Sequence, residues 1–224
     1  MSIHPHFDQR DREAVYNIIG ARRDMRHFLI GATVAPETLT RILQAGHMAP
    51  SVGLMQPWRF IRVLDPALRR RLGEEAERVR LQTAEAMGSR KEFFLGLKVE
   101  GINECAELLV VVMAPDDGTV VGRLTMPNAM AISSCACAIQ NMWLAARAEN
   151  LGLGWVSFFD PQVVARLLEC PDGAEPLAIL CLGPVGEFPA APLMSLAGWR
   201  QEKPLDAILY TDRYGREPDR PMLC

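Results

Sequence analysis

Three arginines and one aspartate lie within five residues near the start of the chain, at Arg22, Arg23, Asp24 and Arg26. Guanidinium groups bind phosphate through paired, charge-assisted hydrogen bonds, so this cluster could hold one phosphate. Asp24 is expected to stay ionised among these cations and to orient an arginine or act on a ligand. Because such a run could equally be a solvated charged surface, the residues alone leave both interpretations open.

A second candidate is the segment 49–58, in which two prolines and a glycine predict a loop. Gly53 would let the backbone approach a flat ligand closely. Ser51 and Gln56 could hydrogen-bond the polar edge of a heteroaromatic ring. The alternative is an ordinary turn in which Trp58 packs into the core.

Hydrophobic periodicity predicts the elements that must position these residues. Helices are predicted over 8–21, from Pro36 to Gly46, over 133–150 and over 161–169, and strands over 59–64, 108–114, 155–159 and 177–182. Mixed helices and strands in this order predict an α+β or α/β sandwich.

Two further segments have a distinct composition. Residues 66–98 are rich in Arg and Glu and predict one or two exposed helices, which could form a lid over a site or a solvated helical hairpin. The tail, residues 187–224, has few apolar runs and cannot build its own core. It is expected to lie over something else, such as a partner subunit.

Composition excludes several classes of function. With 224 residues and a net charge of -3, the chain is one domain or two small ones and is not expected to bind nucleic acid. The longest strongly apolar run, 108–114, is far shorter than the roughly 18 residues of a membrane span. Six cysteines without a Cys-x-x-Cys motif, and a polar N-terminus, favour a reducing cytoplasm. No metal-ligand spacing and no nucleotide-binding motif occurs.

Several motifs together resemble the nitroreductase flavoprotein family over about residues 19–186. They are Arg-Arg-x-x-Arg from Arg22, Ala-Pro-Ser-x-Gly-x-x-Gln-Pro-Trp from Ala49, Gln-Asn-x-Trp-Leu-Ala-Ala from Gln140, and Gly-Leu-Gly from Gly152. Within the family, Asp24, the segment 50–59, Met126-Pro127 and the segment 154–161 resemble the branch that converts reduced FMN into 5,6-dimethylbenzimidazole, the lower ligand of cobalamin.

The resemblance implies an α+β sandwich with a mixed central sheet flanked by helices. It also implies a single domain over 1–224, a domain-embracing homodimer whose C-terminal arm 187–224 covers the partner, and FMN bound across the subunit interface. The residues that match FMN-binding positions of the family are Arg22, Arg23, Asp24, Met25, Arg26, Ser51, Gly53, Leu54, Gln56, Ser157 and, in the arm, Arg200.

In the reaction that the resemblance implies, reduced FMN is the substrate and O2 the co-substrate, and the second product is erythrose 4-phosphate. Asp24 matches an acid–base aspartate and Ser157 a catalytic serine. NAD(P)H would act only indirectly, through a separate flavin reductase, and the segment 66–98 would close over the flavin and exclude water.

Two alternatives remain open from the sequence. One is a conventional NAD(P)H-dependent nitroreductase that retains its FMN, and the other is a flavin carrier without catalytic activity. Asp24 favours the flavin-consuming reaction over a carrier, because a pure phosphate clamp gains nothing from a negative charge.

Overall fold

The computed structural model describes residues 6–217, which form two compact units, one ending at Phe188 and the other beginning at Pro189. The helices are α1 (Gln9–Ala21), α2 (Pro36–His47), α3 (Pro66–Glu85), α4 (Lys91–Leu95), α5 (Pro127–Ala148), α6 (Pro161–Leu167) and, in the second unit, α7 (Leu193–Leu196). The strands are β1 (Trp58–Arg62), β2 (Glu107–Met113), β3 (Gly152–Val156) and β4 (Glu175–Gly183).

The four strands form one sheet in the order β1-β2-β4-β3, and every neighbouring pair is antiparallel. β2 is buried along its whole length, as its continuous apolar sequence predicts for a central strand. The α+β class is therefore confirmed. The resemblance implies a mixed sheet, with some parallel pairing. Within the described residues, the parallel pairing is one isolated bridge between Asp24 and Leu153 at the edge of β3.

Helices cover both faces of the sheet in the first unit. On one face α2 and α5 enclose a core that contains Ile42 and Met142. On the other face Leu72 and Ala76 of α3 pack with Val164 of α6. Burying a Leu or Ile side chain stabilises the fold by roughly 1.5–3 kcal/mol, so α3 contributes to the core. The prediction that the 66–98 helices are exposed is wrong for this face of α3, because its apolar residues are few but lie on one side.

α5 begins at Pro127, six residues before the predicted start at 133. Proline is favoured in the first turn of a helix, where its missing N–H is not needed. Within residues 6–217, α5 is the one helix long and apolar enough to cross a membrane by length and composition. A core helix passes the same test, and seven α5 residues are buried, including Ile139 and Met142.

β3 occupies Gly152–Val156 rather than the predicted 155–159. Gly152 and Gly154 lie in the strand, where they pair with Gly183 and Cys181 of β4. The Met25 backbone packs directly against Gly154, a close approach that glycine permits. The shift matters for the site, since it places Ser157 just beyond the strand instead of inside it.

The cysteines differ in burial. Cys105, Cys135 and Cys181 are buried, whereas Cys137 is exposed and Cys170 is partly exposed. Cys224 lies outside the described residues.

Candidate active site

Two hydrogen bonds from backbone N–H groups hold Asp24 and its neighbour Met25 at the free edge of β3. The Met25 N–H donates to the Leu153 carbonyl oxygen at 3.0 Å. The Trp155 N–H donates to Asp24 Oδ1, also at 3.0 Å. The carboxylate thus takes the place of a backbone carbonyl in the ladder, and its position is fixed by the strand.

Gly154 permits this close approach. A Cβ at Gly154 would overlap the Met25 carbonyl oxygen and would lie 2.5 Å from a guanidinium nitrogen of Arg26. Any side chain larger than hydrogen would therefore push the segment 22–26 off the strand. The Gly-Leu-Gly motif is a packing requirement of the site.

Arg26 forms an ion pair with Asp24 Oδ2. Its guanidinium also donates to the carbonyl oxygens of Trp155 at 2.8 Å and of Met25 at 3.3 Å. Only 9% of Arg26 is exposed, so its donors are directed into the protein. These contacts favour a role for Arg26 in positioning Asp24. They do not favour the direct contact with FMN that the sequence predicts for Arg26. The Met25 side chain is likewise buried, in the core beneath the segment.

The pKa of Asp24 is raised above its ordinary value, chiefly because the surrounding protein displaces water from the carboxylate. The charges of Arg26 and Arg22 and the hydrogen bond from the Trp155 N–H oppose this rise in pKa. Solvent still reaches 43% of the Asp24 side chain, which moderates the effect. Asp24 is therefore easier to protonate than an arginine cluster alone would predict, as suits a group that exchanges protons.

Arg22 and Arg23 lie where α1 ends. The Arg22 guanidinium carbon is 4.8 Å from the ring centroid of Trp143 on α5, a cation–π arrangement. The Trp143 indole N–H donates to the Arg23 carbonyl oxygen at 3.0 Å. The Arg23 guanidinium donates to the carbonyl oxygens of Gly20 and Arg22, both at 2.7 Å. Two cations are thus fixed next to Asp24, a donor set that suits the phosphate of FMN.

Ser157 is exposed and comes two residues after Trp155, whose N–H binds Asp24. Residues two apart in an extended chain are separated by about 7 Å, so Ser157 is close along the chain to the N–H group that binds Asp24. The Phe159 N–H donates to the Ser157 carbonyl oxygen at 3.1 Å and closes a tight turn.

The loop after α2 has an unusual backbone. Gly53, Leu54 and Gln56 all have positive φ, at 54°, 54° and 43°. Ser51 Oγ accepts from the Gln56 N–H at 3.1 Å, which holds the loop closed. Leu54 is largely exposed. The backbone at Leu54 and Gln56 is strained, and it leaves Leu54 exposed and Gln56 half-buried.

α5 contacts this loop and the arginine cluster on different sides. The Val52 N–H donates to Ser134 Oγ at 3.2 Å, whereas Trp143 holds Arg22 and Arg23. Nine residues separate Ser134 from Trp143, which is about 14 Å along the helix and an odd number of half turns around it. The loop and the arginine cluster thus contact α5 at opposite sides of the helix.

Arg200 lies in the second unit, shortly after α7, and its contact with FMN stays a prediction. Among residues 6–217 no cluster of three or more His, Cys, Asp or Glu side chains could hold a metal ion.

Three residues contribute to the site without a role assigned from the sequence. They are Trp143, which supports the arginines, Ser134, which anchors the loop, and Gly154. Trp143 and Gly154 belong to motifs that carried the family resemblance, but the motifs did not say what these residues do. Ser134 gave no signal, since a serine within a helix has no distinctive pattern.

Comparison with known proteins agrees with this geometry. The model of the Nitroreductase family matches residues 19–184. A Rhodobacter capsulatus protein named 5,6-dimethylbenzimidazole synthase is 40% identical over 89% of this chain and 97% of its own length. A Rhodospirillum rubrum protein of the same name is 38% identical over 89% of this chain and 95% of its own length. These relatives are enzymes.

A solved structure of oxidized iodotyrosine deiodinase bound to FMN and 3-iodo-L-tyrosine has the same fold. It superimposes with a TM-score of 0.68 at 23% identity, covering 90% of this chain and 98% of that one. The family match over residues 19–184 includes the segment 22–26, β3 and α5. On this evidence the chain belongs to the nitroreductase family.

Proposed function

We propose that this protein is a 5,6-dimethylbenzimidazole synthase, which fragments reduced FMN in an O2-dependent reaction into 5,6-dimethylbenzimidazole and erythrose 4-phosphate. The observation that carries the proposal is the carboxylate of Asp24, fixed by the Trp155 N–H and Arg26 inside a cluster of cations. The relatives named 5,6-dimethylbenzimidazole synthase support the same function. Conventional recycling of a flavin does not require such an acid at this place.

The residues present fit FMN by their chemistry. Arg22 and Arg23 would bind the phosphate, and Asp24 can accept a hydrogen bond from a ring N–H or take a proton from the sugar chain. The Ser157 hydroxyl can donate to or accept from the flavin edge and so hold one geometry. Reduced FMN would supply both the electrons for O2 and the carbon atoms of the products.

Asp24 is the proposed proton carrier of the reaction. Its pKa is raised by the crowding of the carboxylate, which brings the protonated and ionised forms closer in free energy. A carboxylate positioned in this way accelerates a reaction by roughly 10²–10⁴-fold as a general acid or base. Arg26 keeps the carboxylate directed along β3 throughout.

A complete site would need two subunits. Since the loop carrying Ser51, Gly53, Leu54 and Gln56 lies on the other side of α5 from Arg22, we propose that a homodimer pairs the loop of one subunit with the arginine cluster of the other. The arm 187–224 would cover the partner, and Arg200 would add a further phosphate contact. Because α3 is part of the core, the movable part of the proposed lid would be 86–98, where 3₁₀ geometry and short helices follow α3.

We further propose that a separate flavin reductase supplies reduced FMN, so that NAD(P)H acts only indirectly, and that the protein works in the cytoplasm. The arginine cluster would hold the phosphate of FMN, and no nicotinamide-binding motif occurs in the sequence. Neither nucleic acid nor membrane is an expected partner.

A single-turnover assay tests the proposal. Purified protein is mixed with photoreduced FMN in air, and the products are separated by chromatography. We expect a benzimidazole to form with the wild type and very little to form with Asp24→Asn, which keeps the shape of the side chain but cannot carry the proton. Equal yields from both proteins would remove Asp24 from the mechanism.

The same preparation distinguishes the alternatives. Steady NADH oxidation with a nitroaromatic compound, and FMN retained through purification, would favour a conventional nitroreductase. Binding of reduced FMN without any turnover would favour a flavin carrier.

A further inference from the structure

The four residues that follow β3 form a turn, Ser157–Asp160, which we call the Ser157 turn. Asp160 caps α6, since its carboxylate accepts from the Gln162 N–H at 2.8 Å. The Phe159 N–H closes the turn on the Ser157 carbonyl oxygen. These bonds are internal to the turn and to α6. Apolar packing joins the turn to the core, since Phe159 is buried there and the Phe158 ring centroid lies 5.9 Å from that of Phe94.

Glu75 on α3 adds a polar connection to this packing. Its Oε1 accepts from the Asp160 N–H at 2.8 Å, across 85 residues of sequence. The same carboxylate forms a two-point ion pair with Arg78, in which both N–O distances are 2.7 Å. Only 5% of the Glu75 side chain is exposed, so the carboxylate is a buried bridge between α3 and the turn.

The pair with Arg78 keeps Glu75 charged. Hydrogen bonding to Arg78 is the main reason why the pKa of Glu75 is lowered, and the Asp160 N–H lowers that pKa further. A hydrogen bond to an ionised carboxylate is about twice as strong as a neutral one. The bond to the Asp160 N–H is therefore charge-assisted.

A neighbouring pair on the same helix shows what is particular to Glu75. Glu77 forms a similar two-point pair with Arg80, at 2.7 and 2.9 Å, but 49% of its side chain is exposed and no hydrogen bond joins it to the Ser157 turn. Packing of α3 is provided by Leu72 and Ala76, which lie in the core. Glu75 thus adds a specific polar connection to a helix that is already packed.

We infer that Glu75 is a positioning residue, which holds the Ser157 turn so that the Ser157 hydroxyl has one place at the edge of β3. This inference rests on the proposed function, in which Ser157 contacts the flavin. It also connects α3, at the start of the segment 66–98, directly to the site.

Three variants test the inference in the single-turnover assay. Glu75→Leu removes the acceptor but fills the buried volume, Glu75→Gln keeps an acceptor for the Asp160 N–H, and Glu77→Leu is the matched control. We expect Glu75→Leu to slow product formation by about tenfold or more, since small displacements of a reacting group cost up to roughly 10²-fold. Glu75→Gln should stay within about threefold of the wild type, and Glu77→Leu should be unchanged, while the Kd for reduced FMN stays within about twofold in all three.

A double-mutant cycle with Ser157→Ala separates positioning from general stability. If Glu75 acts through Ser157, Glu75→Leu has little further effect on the rate in the Ser157→Ala background. Three results would each overturn the inference. They are a double mutant whose rate loss is the product of the two single losses, an unchanged rate in Ser157→Ala, and equal rate losses in Glu75→Leu and Glu77→Leu.

Hydrogen exchange gives a readout that does not depend on activity. The Asp160 amide should exchange faster in Glu75→Leu than in the wild type and in Glu77→Leu, and unchanged exchange would contradict the connection. A wild type that forms no benzimidazole but shows this exchange pattern would refute the proposed function and, with it, the catalytic purpose of Glu75, while leaving the structural bond established.

Discussion

Replacing Gly154 by alanine tests the central packing of the site. Gly154 does not have a positive φ, so alanine is acceptable to the backbone and the effect is one of space. The new methyl would overlap the Met25 carbonyl oxygen, and forcing an extra carbon into such a contact costs about 1–3 kcal/mol. Moving the segment 22–26 away also breaks the bonds from Met25 N–H to Leu153 and from Trp155 N–H to Asp24, each worth about 0.5–1.5 kcal/mol.

The sum is a loss of about 2–6 kcal/mol, out of the roughly 5–15 kcal/mol that stabilise a typical domain. Urea unfolding at one fixed protein concentration measures it, and the single-turnover assay measures the accompanying loss of product. Gly20→Ala is the control, because Gly20 lies in α1 with no atom near its missing Cβ. Alanine in a helix should stabilise the control by about 0.5–1 kcal/mol.

The reasoning would be refuted if Gly154→Ala unfolded within about 1 kcal/mol of the wild type and formed product at the normal rate. In that case the segment 22–26 would not rest against β3, and the position of Asp24 would need another cause.

Three further measurements address other parts of the site. Trp143→Ala should weaken binding of reduced FMN by about tenfold, because it loses the cation–π contact and the indole hydrogen bond, and Trp143→Phe should weaken it less. Fluorescence titration measures the affinity, and equal affinities of Trp143→Ala and the wild type would contradict the role of Trp143. Because the folded state raises the pKa of Asp24, wild-type stability should fall relative to that of Asp24→Asn as pH rises from about 4 through the raised pKa. Urea unfolding measures both free energies, and a difference between them that does not change with pH would contradict the prediction. Iodoacetamide at mildly alkaline pH should label the exposed Cys137 but not Cys135, since burial raises the pKa of Cys135 to about 12. Peptide mass spectrometry measures the labelling, and faster labelling of Cys135 than of Cys137 would contradict the prediction.

The sequence predicted the elements that have a strong local pattern. α2 begins at Pro36 and buries Leu39, Ile42 and Gly46, as its periodicity indicates. The continuous apolar run of β2 is a central strand. Both patterns reflect burial of neighbouring residues in the chain, which a single sequence reports well.

Features that depend on contacts between distant segments were not predictable in this way. β3 begins three residues before its predicted start, because Gly152 and Gly154 pair with Gly183 and Cys181 of β4, a distant segment of the chain. Arg26 was expected at a phosphate, but Asp24 and Trp155 hold it inside the protein. Nothing near Glu75 in the sequence indicates its bond to Asp160, since 85 residues separate them.

The proposed division of the site between two subunits has a genetic consequence. In a dimer that pairs the loop of one chain with Asp24 of the other, an Asp24→Asn chain and a Gln56→Ala chain would each be inactive alone. Together they would form mixed dimers with one doubly defective site and one intact site, so an equal mixture would regain about a quarter of the wild-type activity by complementation. Two damaged copies of the gene could then support each other in one cell.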